Sequence, residues 1–153
     1  MKIAIRRMEK KDIAGAVEIE HLCFSEPWSE ADYNETLLLP YASYYVAEAD
    51  LQDHPIVGIC GLRNIAGEGE ITNVAVRPVW RGQGIARQLL DRLLSEGREG
   101  GIRMFTLEVR AGNAPAIALY EGLGFRTEGV RKGFYSRPVE DCLIQWLRDE
   151  PEQ

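Results

Sequence analysis

The sequence predicts a mixed α/β (α+β) domain, a central sheet of about six to seven strands flanked by about four helices. Three observations carry this. Strand-like runs cluster in the first half of the chain and then alternate with helical patterns, as they do when helices cover a mixed sheet. A glycine-rich turn at residues 80–86 joins an apolar strand to an amphipathic helix. The chain has 153 residues, 45% apolar and 27% charged, which suits one soluble domain with a real core. Residues 1–148 are expected to form that domain, and 149–153 a short acidic tail.

Residues 2–6 alternate, with Ile3 and Ile5 on one face, as a half-buried strand does. Ile13, Val17, His21 and Phe24 then recur at helical spacing, with Ala16 beside them. The segment Ser25-Glu26-Pro27-Trp28-Ser29 breaks that helix. Ser29 caps a second helix, and Asp32 completes an acidic capping box. Residues 43–48 and 56–65 read as strands joined by 50–55, and the turn Ala66-Gly67-Glu68-Gly69 leads into a strand at 70–76. From Ile85 to Leu94, the rows Ile85, Leu89, Leu93 and Ala86, Leu90, Leu94 make a wide buried stripe, ended by Gly97, Gly100 and Gly101. Residues 102–109 read as a buried strand. Residues 113–123 read as a short helix stopped by Gly124, with Ala116, Ile117, Tyr120 and Leu123 available for packing. The last strands are 125–131 and 142–147.

Several function classes drop out on composition. No apolar run nears the ~20 residues that span a bilayer, and residues 1–7 read as a charged strand rather than a signal peptide. Cys23, Cys60 and Cys142 are odd in number and far apart, which points to reduced, buried thiols in a cytoplasmic protein. Only two histidines and no Cys-x-x-Cys argue against a metal site. A net charge of −6 argues against direct nucleic-acid binding and for basic partners, although solubility alone also accounts for it. The expectation is a monomer with no membrane attachment.

The stretch Val76-Arg77-Pro78-Val79-Trp80-Arg81-Gly82-Gln83-Gly84-Ile85-Ala86 carries the chemistry. A glycine-rich turn between strand and helix aims several backbone N–H groups at one spot, and the helix dipole adds positive potential there. Such a site binds phosphate. No Lys or hydroxyl follows Gly84 as a P-loop requires. The dinucleotide fingerprint fails as well, because Arg87 stands where its last glycine belongs. The run Arg81-Gly82-Gln83-Gly84-Ile85-Ala86 resembles the pyrophosphate loop of the GCN5-related N-acetyltransferases, which hold acetyl-CoA there.

A second run narrows the resemblance. Leu107-Glu108-Val109-Arg110, then Asn113, then Ala118-Leu119-Tyr120, then Leu123-Gly124-Phe125 resembles the ribosomal-protein-alanine N-acetyltransferases of the RimI type. Pro27-Trp28-Ser29 and Phe134-Tyr135 before Glu140-Asp141 agree, so the likeness runs from the first helix to the last strand. Two features depart from the pattern. Phe134-Tyr135 stands where a Tyr-Tyr pair is usual, and the loop 136–139 is shorter than in the best-known members. The resemblance implies a GNAT-like acyl-CoA N-acyltransferase fold with a mostly antiparallel, twisted sheet. It implies acetyl-CoA as co-substrate and no metal. The implied acceptor is the N-terminal alanine amine of a ribosomal protein, the eighteenth of the small subunit.

The resemblance assigns Glu108 as general base and Tyr120 as general acid. Chemistry accords with both roles. An α-amine has a pKa near ~8 and is mostly protonated at neutral pH. A carboxylate, acting through water, takes a proton as the amine attacks the thioester. The tetrahedral oxyanion needs N–H donors, which the resemblance places at Val74, Ala75 and Val76. A phenol protonates the leaving thiolate. Gly82, Gln83, Gly84, Ile85 and Ala86 hold the diphosphate, with Arg81 and Arg87 beside it, and Asn113 contacts the co-substrate while capping its helix. Trp28, Glu35 and Tyr135 line the acceptor groove, and Glu26, Glu30 and Asp32 add negative charge that suits a basic N-terminus. Without the resemblance, Glu108 reads first as an outward-facing strand residue and Tyr120 as a core aromatic. The acidic residues around Trp28 read equally as a solvated helix face. Two rival functions stand: acetylation of lysine side chains or small amines, and a non-catalytic acyl-CoA-binding module. The module would need the glycine loop and Asn113 but neither Glu108 nor Tyr120.

Overall fold

The computed structural model describes residues 2–149. Seven strands join in one sheet: β1 (Ile3–Arg7), β2 (Ala42–Ala49), β3 (Ile56–Ile65), β4 (Glu68–Val76), β5 (Met104–Arg110), β6 (Arg126–Tyr135) and β7 (Glu140–Arg148). Their spatial order is β1-β2-β3-β4-β5-β7-β6, and every neighbouring pair is antiparallel except β4 and β5. Helices α1 (Ile13–Cys23) and α2 (Glu30–Leu37) cover one face, and α3 (Ile85–Glu99) and α4 (Ala114–Gly122) the other. Element order and sheet type follow the expectation. Among the described residues no helix is long and apolar enough to cross a membrane.

Covering both faces buries β2 from Tyr44 to Ala47 and β3 from Ile56 to Leu62 on both sides. On β2, Tyr44 and Val46 pack toward α1 and α2, while Tyr45, Ala47 and Ala49 pack toward α3. Helix α3 lays the fully buried Leu89, Leu90 and Leu93 on the sheet, the stripe its spacing predicts. Helix α2 starts where Ser29 caps it. Ser29 Oγ accepts from Asp32 N at 3.1 Å, and Asp32 Oδ2 accepts from Ser29 N at 2.8 Å, which holds the Asp32 carboxyl below its usual range.

Several boundaries and faces differ from expectation. The buried stripe of α1 is Ile13, Ala16, Ile19 and Glu20, whereas His21 is exposed. The apolar row through Val17 and His21 lies at the edge of the contact, because the helix turns a carboxylate inward instead. Helix α3 runs on past Leu94 to Glu99, with Gly97 inside it, because Gly97 lets the helix lie against Phe105. The turn before β4 is tighter than expected, so Glu68 and Gly69 already belong to the strand. Strand β5 begins at Met104, two residues later than its apolar run. Strand β6 reaches Tyr135, because the Tyr135–Glu140 pair closes its hairpin with β7. All three cysteines are free; Cys60 and Cys142 are buried, but Cys23 is half exposed. Residues 150–153 of the expected tail lie outside the described residues. Its first member, Asp149, donates its N–H to Arg103 O at 2.9 Å and accepts two bonds from Arg98 at 3.1 Å.

Gly61 serves the core by its missing side chain. It pairs across from Tyr44, whose ring lies flat over it, and a Cβ there would fall inside that ring. Tyr44 is only 2% exposed and has nowhere to move. Alanine normally suits a strand better than glycine, yet Gly61→Ala is expected to destabilise by about 2 kcal/mol through overpacking. A thermal or urea melt that shows Gly61→Ala as stable as the parent would contradict this packing.

Candidate active site

Parallel strands β4 and β5 pair only over residues 68–70 and 104–106. Beyond that point they part. Opposite β3, the register of β4 shifts so that Asn73 and Val74 together face Cys60. Asn73 adopts φ of 54°, a left-handed conformation that asparagine tolerates better than most residues. This is a bulge, and a bulge bends its strand. The parted strands open a cleft of about 520 Å³. One wall is β4 from Ile71 to Val74, and the other is β5 from Leu107 to Arg110. The segment joining α1 to α2, the β6–β7 hairpin, and Asn113 and Tyr120 complete it.

Period-two alternation on β5 decides which side chains enter. Phe105, Leu107 and Val109 are buried in the α3 core, so Glu108 points the other way and is exposed. Its Oε2 lies 3.4 Å from the Cys142 thiol, which donates to it. Tyr135 stands close by: burial, the Cys142 thiol and the Glu108 charge together push its phenol well above the usual range. Tyr120 reaches the cleft from α4, 7% exposed, edge-on to Phe125 at 6.0 Å between ring centres. Burial, with a smaller contribution from Cys60, raises its pKa, so it stays protonated at neutral pH. Its hydroxyl has no hydrogen-bond partner among the described residues. Asn113 caps α4, its Oδ1 accepting from Ala116 N at 3.3 Å, and also lines the cleft.

The glycine turn follows β4 directly. A short 3-10 turn, Pro78–Trp80, carries the chain to Gly82 and Gly84, whose φ values are 79° and 77°. A Cβ on either glycine would meet nothing within 4 Å. The N–H groups from Gly82 to Arg87, Gln83, Ile85 and Ala86 included, have no acceptor among the described residues. The start of α3 therefore presents a row of open donors at the positive end of a helix dipole, with free space before them. That arrangement fits a diphosphate. Arg81 folds back instead of reaching out: its Nε donates to Val76 O at 3.1 Å and its Nη2 lies 3.4 Å from Cys23 Sγ. Arg87 Nε pairs with Asp91 at 3.2 Å. Val74 lines the cleft, while Ala75 and Val76 are buried and paired with β3.

On the opposite wall, Trp28 and Tyr135 line the cleft as expected. Glu35 does not. It is exposed on α2, whose inner face carries Tyr33 and Thr36. Of the four expected acidic residues only Glu26 lines the cleft, and it accepts a bond from Ser136 Oγ at 2.9 Å. Asp32 is engaged by its own capping box.

Three site residues escaped the sequence reading. Glu20 is 1% exposed and lines the cleft; the apolar spacing of its helix does not single it out. Asn73 shapes the bulge, and an Asn inside a strand run is a legible bulge signal. Arg110 ties the two loops over the cleft together. It donates to Ser25 Oγ at 3.0 Å, Pro138 O at 3.1 Å and Ser136 O at 3.2 Å, and stacks on Tyr135 at 4.3 Å.

The sequence profile of the Acetyltransferase (GNAT) family matches residues 13–125. The chain is 37% identical over 147 residues to a provisionally named ribosomal protein bS18-alanine N-acetyltransferase of Bacillus subtilis (strain 168), covering 95% of each chain. It is 33% identical over 145 residues to the ribosomal protein bS18-alanine N-acetyltransferase of Escherichia coli (strain K12), covering 94% of this chain and 95% of that one. The crystal structure of the Escherichia coli ribosomal-protein-S18-alanine N-acetyltransferase superposes with a TM-score of 0.89 at 29% identity, over 99% of this chain and 97% of that one.

The Arg110 contacts make a specific expectation. Arg110→Met keeps the stem but removes the donors, so residues 25 and 136–138 lose their shared tie. The amides of residues 25, 136 and 137 are expected to exchange with solvent about tenfold faster, the loss of about one charge-assisted bond, while the α3 core stays protected. Equal exchange in variant and parent would show that the loops hold their places without Arg110.

Proposed function

The chain belongs to the GNAT acetyltransferase family, and from that membership we propose that it transfers acetyl from acetyl-CoA to the N-terminal alanine amine of ribosomal protein bS18. The observation that carries the reading is the convergence in one cleft of an exposed carboxylate, Glu108, and a buried, protonated phenol, Tyr120, together with a row of open backbone donors on the turn that follows β4. The relatives named for this reaction align over nearly the whole chain, which supports the acceptor.

Acetyl-CoA supplies the activated acetyl thioester. The N–H groups from Gly82 to Arg87 would hold its diphosphate, and the two glycines leave room for close approach. The parted edge of β4 at Val74 offers backbone polar groups toward the carbonyl oxygen as it gains charge. Glu108, exposed on β5, accepts the proton that the attacking amine must lose, directly or through water. Tyr120 returns a proton to the departing sulfur. The two residues differ in burial, which supports the reading of Glu108 as base and Tyr120 as acid. No side chain need form a covalent bond with acetyl.

An N-terminal amine, with a pKa near ~8, matches a carboxylate base better than lysine at ~10.4. The wall of Trp28, Glu26 and Tyr135 suits a cationic peptide end. The chain is proposed to act as a single domain over residues 1–148.

Glu108→Gln is expected to lower kcat by about 10²–10⁴ while the acetyl-CoA dissociation constant stays within about twofold. Turnover of an alanine-initiated peptide from pH 6 to 9 checks this, and undiminished rates would remove Glu108 as base. Tyr120→Phe should slow turnover by about 10² with the melting temperature little changed. Because burial raises the Tyr120 pKa, the parent's rate should hold past pH 10, where an ordinary tyrosine near ~10 is already half ionised. A basic limb centred at or below pH 10 that disappears in Tyr120→Phe would contradict the burial argument.

A further inference from the structure

Two carboxylates of the described residues are buried, Asp12 and Glu20. Asp12 faces the Arg6 guanidinium at 2.8 and 2.9 Å. Glu20 takes part in no salt bridge among the described residues. All three of its partners are neutral donors: Trp28 N–H to Oε1 at 2.9 Å, and Tyr33 Oη and Asn73 Nδ2 to Oε2 at 2.6 and 2.8 Å. A buried charge without a counter-ion is costly, and an apolar side chain of similar shape would fill the space more cheaply. What Glu20 does that an apolar side chain cannot is join three separate pieces of chain: the loop carrying Trp28, helix α2 through Tyr33, and the β4 bulge through Asn73.

The donors also line up. Tyr44 Oη contacts Thr72 Oγ1 at 2.8 Å and donates to Asn73 Oδ1 at 3.3 Å. Asn73 is therefore held on both sides, its carbonyl oxygen facing a phenol and its amide nitrogen facing the carboxylate. The hydrogen bonds run from Thr72 through Tyr44 and Asn73 to Glu20, each polarising the next. The strained residue of the bulge is the one that this chain of bonds grips.

We propose that Glu20 is a positioning residue for the acceptor: it locks the β4 bulge and the Trp28 wall in one register, so that a peptide lying between them presents its amine to Glu108. The inference rests on reading the cleft as the acceptor and acetyl-CoA site. The diphosphate-binding turn lies outside this hydrogen-bond chain, so the effect falls on the peptide and spares acetyl-CoA.

Glu20→Gln tests it. Glutamine keeps the shape but must aim an NH₂ group either at Trp28 N–H or at the Tyr33 and Asn73 donors. In the full chain, the KM for an alanine-initiated hexapeptide is expected to rise about tenfold or more, with the acetyl-CoA dissociation constant by calorimetry within about twofold. Amide exchange should quicken at residues 25, 26, 28, 29 and 71–76 and stay unchanged in β2. Tyr33→Phe removes one bond with no donor clash and should move the same quantities less. It decides the matter if Glu20→Gln does not fold. A peptide KM and exchange pattern equal to the parent's would overturn the proposal. So would equal weakening of peptide and acetyl-CoA, which marks a general loss of structure. If the parent itself fails to acetylate the hexapeptide, the proposed function falls, and the exchange data still decide whether Glu20 pins the bulge.

Discussion

The parting of β4 from β5 after three residue pairs is the constraint on which the rest of the molecule depends. A continuous ladder would have left no cleft, and the edge of β4 would have been consumed by its neighbour. Strands that part must leave backbone polar groups unpaired, and such groups are stable only where water or a ligand reaches them. The bulge at Asn73 bends β4 away, and the pairing of β5 with β7 holds the other wall straight across seven residue pairs. One bent and one straight wall follow from that difference.

Support for the bent wall comes from below. Gly61 leaves space for the Tyr44 ring, and the Tyr44 hydroxyl reaches Thr72 and Asn73. A missing side chain on β3 thus becomes a hydrogen bond on β4. The α1 and α2 core, through Ile19, Tyr33 and Ile59, keeps that arrangement dry. The α3 core on the other face fixes the start of the helix that offers its free amides. The two hydrophobic clusters therefore have different consequences: one shapes the bulge, and the other aims the helix terminus.

Burial divides the polar groups of the cleft. Glu108 lies on an exposed alternation of β5, open to water. Tyr120 is enclosed and keeps its proton. Cys142 lies between Glu108 and Tyr135, where its burial and the nearby carboxylate keep it a thiol. The arrangement needs no unusual residue, only different exposure for ordinary ones.

Local patterns carried much of this in the primary structure. The Ser29 and Asp32 capping box, the Asn113 cap, the bounds of β3 and the leucine stripe of α3 depend on neighbours within a few positions, so spacing alone determined them. The open amides after Gly82 were legible for the same reason, since a glycine turn and a helix start are local events. Glu20 and Arg110 were not legible, and Asn73 only as a local break in a strand, because their partners lie 8 to 85 residues away and only packing brings them together. The inward turn of Glu20 and the outward turn of Glu35 were decided by which helix face met the sheet. A difference of about one residue in that rotation exchanges a buried carboxylate for a solvated one. Sequence alone determined the elements and the chemistry available at each turn and strand end. Tertiary structure decided which side chains share the cleft, because burial and long-range hydrogen bonds exist only once the sheet has closed and β4 has bent.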